Sequence, residues 1–157
     1  MRTYRMLWLV VALMSCSHTT NTKPITEQEV KDTILGMFES FSVESNDNST
    51  FYDYVTGDYV LYEIGKKMNA AEFLEFASSF NTVEDDWEVS DWNITIDKAS
   101  AHAFFKTKGR FVTLNNGQKT LLNYTWLESA YLVRLDGKLK IRFYFSDAIK
   151  QTSEAID

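Results

Sequence analysis

Two carboxylates stand among aromatic residues, and they are the best candidates for chemistry in this sequence. Glu128 comes two positions after Trp126, and Glu63 follows Tyr59 and Leu61 at the same alternating spacing. Residues two apart in an extended chain point to one side, so each acid shares a face with aromatic or aliphatic neighbours. A carboxyl held among apolar groups has a raised pKa. It can act as acid or base near neutrality, or anchor a polar group of a ligand. Facing each other across a pocket, the two could share a proton or bind a cation. The plainer reading is a solvated or ion-paired residue at a strand end, because unpaired buried carboxylates are costly.

Other chemistry has little support. Cys16 is the only Cys, so no intrachain disulfide, CxxC pair or zinc set can form. The two His are His18, beside that Cys, and His102. His102 alternates with Phe104, Lys106, Lys108 and Arg110, the polar side of a strand, and reads as solvated. Ser129 and Ser146 lack a partnered base, so nucleophilic catalysis is unsupported. No cofactor and no metal is implied.

The N-terminus is an address. Arg2 and Arg5 precede the apolar run Met6 to Met14, which is short for a membrane span. Leu13-Met14-Ser15-Cys16 then resembles the bacterial lipobox, with Met14 the least usual residue in it. The resemblance implies a signal peptide over 1–15, cleavage before Cys16, and acyl chains on Cys16. Two or more such chains anchor stably. Ser17 after the Cys implies the periplasmic face of the outer membrane. His18 to Pro24 is polar and aperiodic, so 16–25 reads as lipidated Cys plus tether; acylation leaves no thiol for His18 to share with a metal.

Net charge is −6. Loss of 1–15 removes Arg2 and Arg5 and leaves 14 basic against 22 acidic residues, or −8. An acidic domain without a basic stripe is a poor binder of nucleic acid.

The elements that must position the two acids are strands and three helices. Thr26 to Glu29 has the capping-box pattern, opening a helix to about Ser42 with Val30, Ile34, Met37, Phe38 and Phe41 on one face. Thr50 to Thr56 is a short helix or turn, and Asp58 to Ile64 is a strand. Gly65 to Lys67 turns the chain. A second capping box, Asn69 to Glu72, opens a helix to about Phe80. Asn81 to Asp86 reads as an acidic loop. The rest is strand, broken by turns at Asp97-Lys98, Asn115-Asn-Gly117 and Asp136-Gly137. The order predicts an α+β domain over 26–149, a cone-shaped curved antiparallel sheet with helices on its concave face, and a tail over 150–157.

The last hairpin sets the faces. Asp-Gly between apolar runs is a strong two-residue turn signal. Leu135 then faces Lys138, and counting outward pairs Leu132 with Ile141, Ala130 with Phe143 and Glu128 with Phe145. The inward face would carry Trp126, Glu128, Phe143 and Phe145. Tyr131 and Tyr144, with Leu127 and Val133, would face outward as a surface for a second copy.

That element order, together with Asp136-Gly-Lys-Leu-Lys-Ile-Arg-Phe-Tyr-Phe-Ser146, resembles the nuclear transport factor 2-like superfamily. The nearest branches are polyketide-cyclase-like and ketosteroid-isomerase-like. The resemblance implies a cone with a pocket at its open end and frequent dimerisation through the outer sheet face. Leu139 stands where the family usually has Trp, and Phe145 where it often has His. In the isomerase branch a carboxylate base sits near the end of the first strand, about where Glu63 stands. The same branch uses a phenol on the first helix and a second acid on a later strand as an oxyanion hole, and Phe38 and Phe41 here cannot donate, so the isomerase chemistry does not carry over.

Three functions stay open on this reading. One is a membrane-anchored module binding a small apolar or aromatic molecule through Trp126, Glu128, Phe143, Phe145, Tyr59 and Glu63. The second is an envelope assembly subunit with a filled core. The third is an enzyme using Glu128 or Glu63 as base on a carbonyl compound.

Overall fold

The computed structural model of the chain describes residues 23–45 and 47–157. The expected signal peptide, Cys16 and His18 lie outside the described residues.

Helix α1 spans Glu27–Ser40. The Thr26 side chain accepts the Glu29 N–H at 3.1 Å, capping its start. Only half of the expected box forms, because the Glu29 carboxylate turns instead to Arg134, with Nη2 to Oε2 at 2.7 Å. Ile25, expected in the tether, is buried with Val30, which pins the chain entry as a hydrophobic staple. A single turn of 3₁₀ helix (Asn48–Thr50) runs into α2 (Phe51–Tyr54). Strands β1 (Val55–Glu63) and β2 (Lys66–Met68) follow, then α3 (Ala70–Ser78) with its full capping box. The chain ends in four long strands: β3 (Thr82–Ile96), β4 (Ser100–Asn115), β5 (Gln118–Leu135) and β6 (Lys138–Ile156).

The architecture is α+β, among the described residues three helices with one six-stranded sheet in the order β2-β1-β6-β5-β4-β3. The sheet is mixed rather than purely antiparallel, since β1 runs parallel to β6. The expected acidic loop is strand instead: Glu84, Asp85 and Asp86 pair with Val112, Phe111 and Arg110. An edge strand can carry charges on its solvent side, and the Asp85 oxygens accept the Val43 N–H at 3.1 and 3.2 Å. Residues 150–156 are not a tail, for β6 continues along β5 until Ile156 meets Lys119.

The turn at Asp136-Gly137 forms as predicted, with φ of 50° and 81°, the left-handed pair of a type I′ turn. Leu135 pairs with Lys138 and Leu132 with Ile141, but Tyr131 then pairs with Phe143. Arg142 is therefore an extra residue in β6, and one extra residue reverses the alternation beyond it. Its guanidinium pairs with Asp58, which lies within the stretch where the β1–β6 register also shifts. As a result Tyr144 and Ser146 face inward and are 3% and 6% exposed. Phe143 is half-buried and Phe145 is exposed, both on the outer face. The strand β5, which lies on the other side of the bulge, keeps its predicted phase.

Under α1 the inner face is fully packed. Val30 and Ile34 meet a floor containing Leu132, Ile141, Ala103 and Ala130, all at 0% exposure. The alanines let the helix approach the sheet. Gly36 plays the same part toward α2, since a Cβ there would collide with the Tyr54 ring.

Candidate functional site

Beyond the α1 footprint the same strands splay and leave a cavity of about 730 Å³. Its floor is built by β1, β5 and β6, which bring Tyr59, Glu128 and Tyr144 together. Phe38 and Phe41 of α1 and Phe73 and Phe76 of α3 line one wall. Trp87, Phe111, Tyr124 and Trp126 continue that lining, for the Trp87 ring lies 5.0 Å from Phe38 and 5.8 Å from Phe41. Tyr124 and Trp126, two apart on β5, stack with centroids 4.8 Å apart and planes at 10°. Trp87 stacks on Trp126 at 5.8 Å, and the Phe111 edge meets Trp87 at 4.8 Å. Gly109 makes this possible. A Cβ on it would come within 2.6 Å of the Phe111 ring and 2.9 Å of the Trp126 ring.

Glu128 is 6% exposed. The Thr107 hydroxyl donates to its Oε2, and Ser146 Oγ donates to its Oε1 at 3.3 Å. Burial disfavours the anion and pushes the carboxyl up to about 7, aided by the charge of Glu63. The hydroxyls around it work in the other direction. The Tyr144 hydroxyl is close enough to favour the anion, yet it is buried and makes no hydrogen bond of proper geometry. Such a group normally finds a partner. Burial and the charge of Glu128 hold the Tyr59 and Tyr144 phenols above the ordinary tyrosine range. Glu63 is half-buried near the mouth, and burial raises it too, while the Trp126 side chain acts in the opposite sense. Next to it Ile64 sits at φ 46° in the two-residue turn between β1 and β2, a costly conformation for a β-branched residue.

Four of the six expected ligand residues, Trp126, Glu128, Tyr59 and Glu63, line the cavity together. Phe143 and Phe145 do not, because the Arg142 bulge turns them outward. Their places are taken by Tyr144 and Ser146, which regular alternation had put outside. Thr107 gave no sequence signal beyond lying opposite the polar side of its strand. His102 is half-buried on the outer face, with Nε2 2.8 Å from Ser129 Oγ. Among the described residues no group of three or more His, Cys, Asp or Glu could hold a metal ion.

No protein-family model and no curated protein matches the chain. Solved structures do. A Novosphingobium aromaticivorans protein superposes with a TM-score of 0.65 at 16% identity, over 82% of this chain and 92% of its own. A hexachlorocyclohexane dehydrochlorinase gives 0.62 at 11% identity, over 83% and 94%. The association domain of CaMKII from C. elegans gives 0.61 at 13%, over 76% and 93%. The chain has the nuclear transport factor 2-like fold. At these identities the likeness extends to the fold alone. Within that fold the open end of the cone is the aromatic-walled cavity over Glu128, and the convex side carries Phe104, Leu127, Tyr131 and Phe145, all exposed.

Proposed function

We propose that this chain is a membrane-anchored binding module that holds a small, largely apolar or aromatic molecule in the cavity above Glu128. The observation that carries the reading is a cavity of about 730 Å³ with aromatic walls and a few convergent polar groups on its floor, the composition of a small-molecule site. The same cavity counts against the filled-core alternative, an envelope assembly subunit with no pocket. Native mass spectrometry of the full chain released gently from membranes tests the proposal. A retained small molecule that a Trp126→Ala variant loses supports it; a wild-type protein that never carries or accepts one ends it.

A second reading is favoured by one specific observation, the Glu128 carboxyl poised near neutrality. In this reading Glu128 serves as general base toward a bound carbonyl compound. Glu128→Gln should then abolish turnover and keep ligand binding. Turnover that survives this change assigns the chemistry elsewhere.

The anchor belongs to the same proposal. The lipobox-like Leu13 to Cys16 supports acylation of Cys16 and residence at the periplasmic face of the outer membrane. Cys16→Ser should move the protein from the membrane to the soluble fraction. Self-association through the convex face also remains part of the reading, with a changed membership. Tyr131 stays, Tyr144 leaves for the cavity, and Phe104, Leu127 and Phe145 take its place. Sedimentation velocity on wild type and Leu127→Glu tests this, with a dimer expected only for the wild type.

A further inference from the structure

The charged side chains that line the cavity are all of one sign. Its lining includes three carboxylates, Glu63, Asp85 and Glu128, and no Lys, Arg or His among the described residues. An anionic ligand would lose its hydration there and find no ionic partner. A neutral ligand would find hydrogen-bond partners but no use for three acids. A cation is matched twice. The acids attract it, and the aromatic walls offer ring faces whose quadrupole attracts positive charge. The cavity's own rings already attract one from outside, for Lys66 Nζ lies 5.8 Å from the centroid of Phe76. A second observation is independent of the acids. The buried Tyr144 hydroxyl, on the cavity floor beside Glu128, makes no hydrogen bond of proper geometry among the described residues. Its oxygen can accept from an N–H donor, and Glu128 beside it can accept another.

From this we infer that the ligand is an organic cation, a protonated amine on an aromatic or aliphatic body, seated with its ammonium toward Glu128 and Tyr144. The inference rests on the ligand-binding reading and narrows it. The cation is organic rather than metallic, because the acids do not converge as a ligand set and most of the lining is apolar. Glu63 at the mouth and Asp85 on β3 act at longer range. Asp85 already accepts the Trp87 Nε1–H at 3.2 Å and the Val43 N–H, and the Trp126 side chain lies close enough to Glu63 to favour its anion. A bound ammonium would favour the ionised form of Glu128, reversing the effect of burial.

The test uses three molecules with one aromatic body and three charges: 2-phenylethylammonium, 2-phenylethanol and 3-phenylpropionate. Each is titrated calorimetrically at pH 8 into the full chain in zwitterionic nanodiscs, with empty nanodiscs as the blank. The amine should bind roughly tenfold more tightly than the alcohol, and the acid most weakly. Glu63→Gln should weaken the amine severalfold and the alcohol by much less, and equal weakening of the two would overturn the inference. Alcohol or acid binding as tightly as the amine would overturn the inference and leave the binding module standing. Failure of all three to bind would overturn the inference and count against the module as well.

Discussion

The two ends of the hairpin β5–β6 use one backbone for opposite purposes. Beneath α1, Ala130, Leu132 and Ile141 are sealed and apolar, and the helix rests on them. A few residues along the same strands, Trp126, Glu128, Tyr144 and Ser146 line a space that no helix among the described residues fills. The packed end shows what these strands do when stability alone decides. The hollow end departs from that in every respect: a buried acid, an unpartnered phenol and strained backbone at Ile64. Departures of this kind cluster where a protein binds or reacts, which is why the function is placed there.

Several substitutions separate the two ends. Leu132→Ala should cost about 3 kcal/mol, since it leaves a void that packed neighbours cannot collapse into; urea denaturation measures it. Glu128 should act through pH by nearly as much. Between pH 4.5 and 7 the folded chain keeps a proton on Glu128 that the unfolded chain releases. Stability should therefore fall as pH rises across that window, by about 3 kcal/mol, and level off above it. Glu128→Gln should flatten this slope and exceed the wild type in melting temperature above pH 7. A variant as steep as the wild type would put the titration on another group. Gly109→Ala should cost about 1–2 kcal/mol through forced displacement of Phe111 and Trp126, and should quench or shift the tryptophan emission. Ile64→Asn should stabilise by about 1 kcal/mol, because Asn tolerates the left-handed region. Smallest of all, Phe145→Ser in dilute protein should change stability by less than about 0.5 kcal/mol, as for an exposed side chain away from special contacts. A loss of several kcal/mol there would restore the unbulged register.

Much of this contrast was legible in the residues. Asp136-Gly137 placed the turn, and the phase of β5 followed from it without reference to β6, so Trp126 and Glu128 were found. The order of elements sufficed for the α+β fold. Two things were not legible. Period-two counting assumes an unbroken ladder, and nothing in Lys140 to Phe145 marks Arg142 as surplus. It coincides with a tertiary contact, the exposed ion pair from Arg142 to Asp58 on a strand more than eighty residues earlier. The parallel pairing of β1 with β6 is equally non-local. Glu84 to Asp86 misled for a different reason, since acidic composition argues for solvent exposure and an edge strand has that as well as a loop does. The cavity itself depends on where helices stop covering the sheet, which no strand pattern records.

The buried acid on the cavity floor is what the whole account turns on. Carbon-detected nuclear magnetic resonance of the side-chain carboxyls, assigned with Glu128→Gln, measures it directly. The Glu128 midpoint should lie near 7 and move down when an amine binds. A midpoint near 4.5 that no ligand moves would mean a solvated carboxylate, and the inward site described above would not exist.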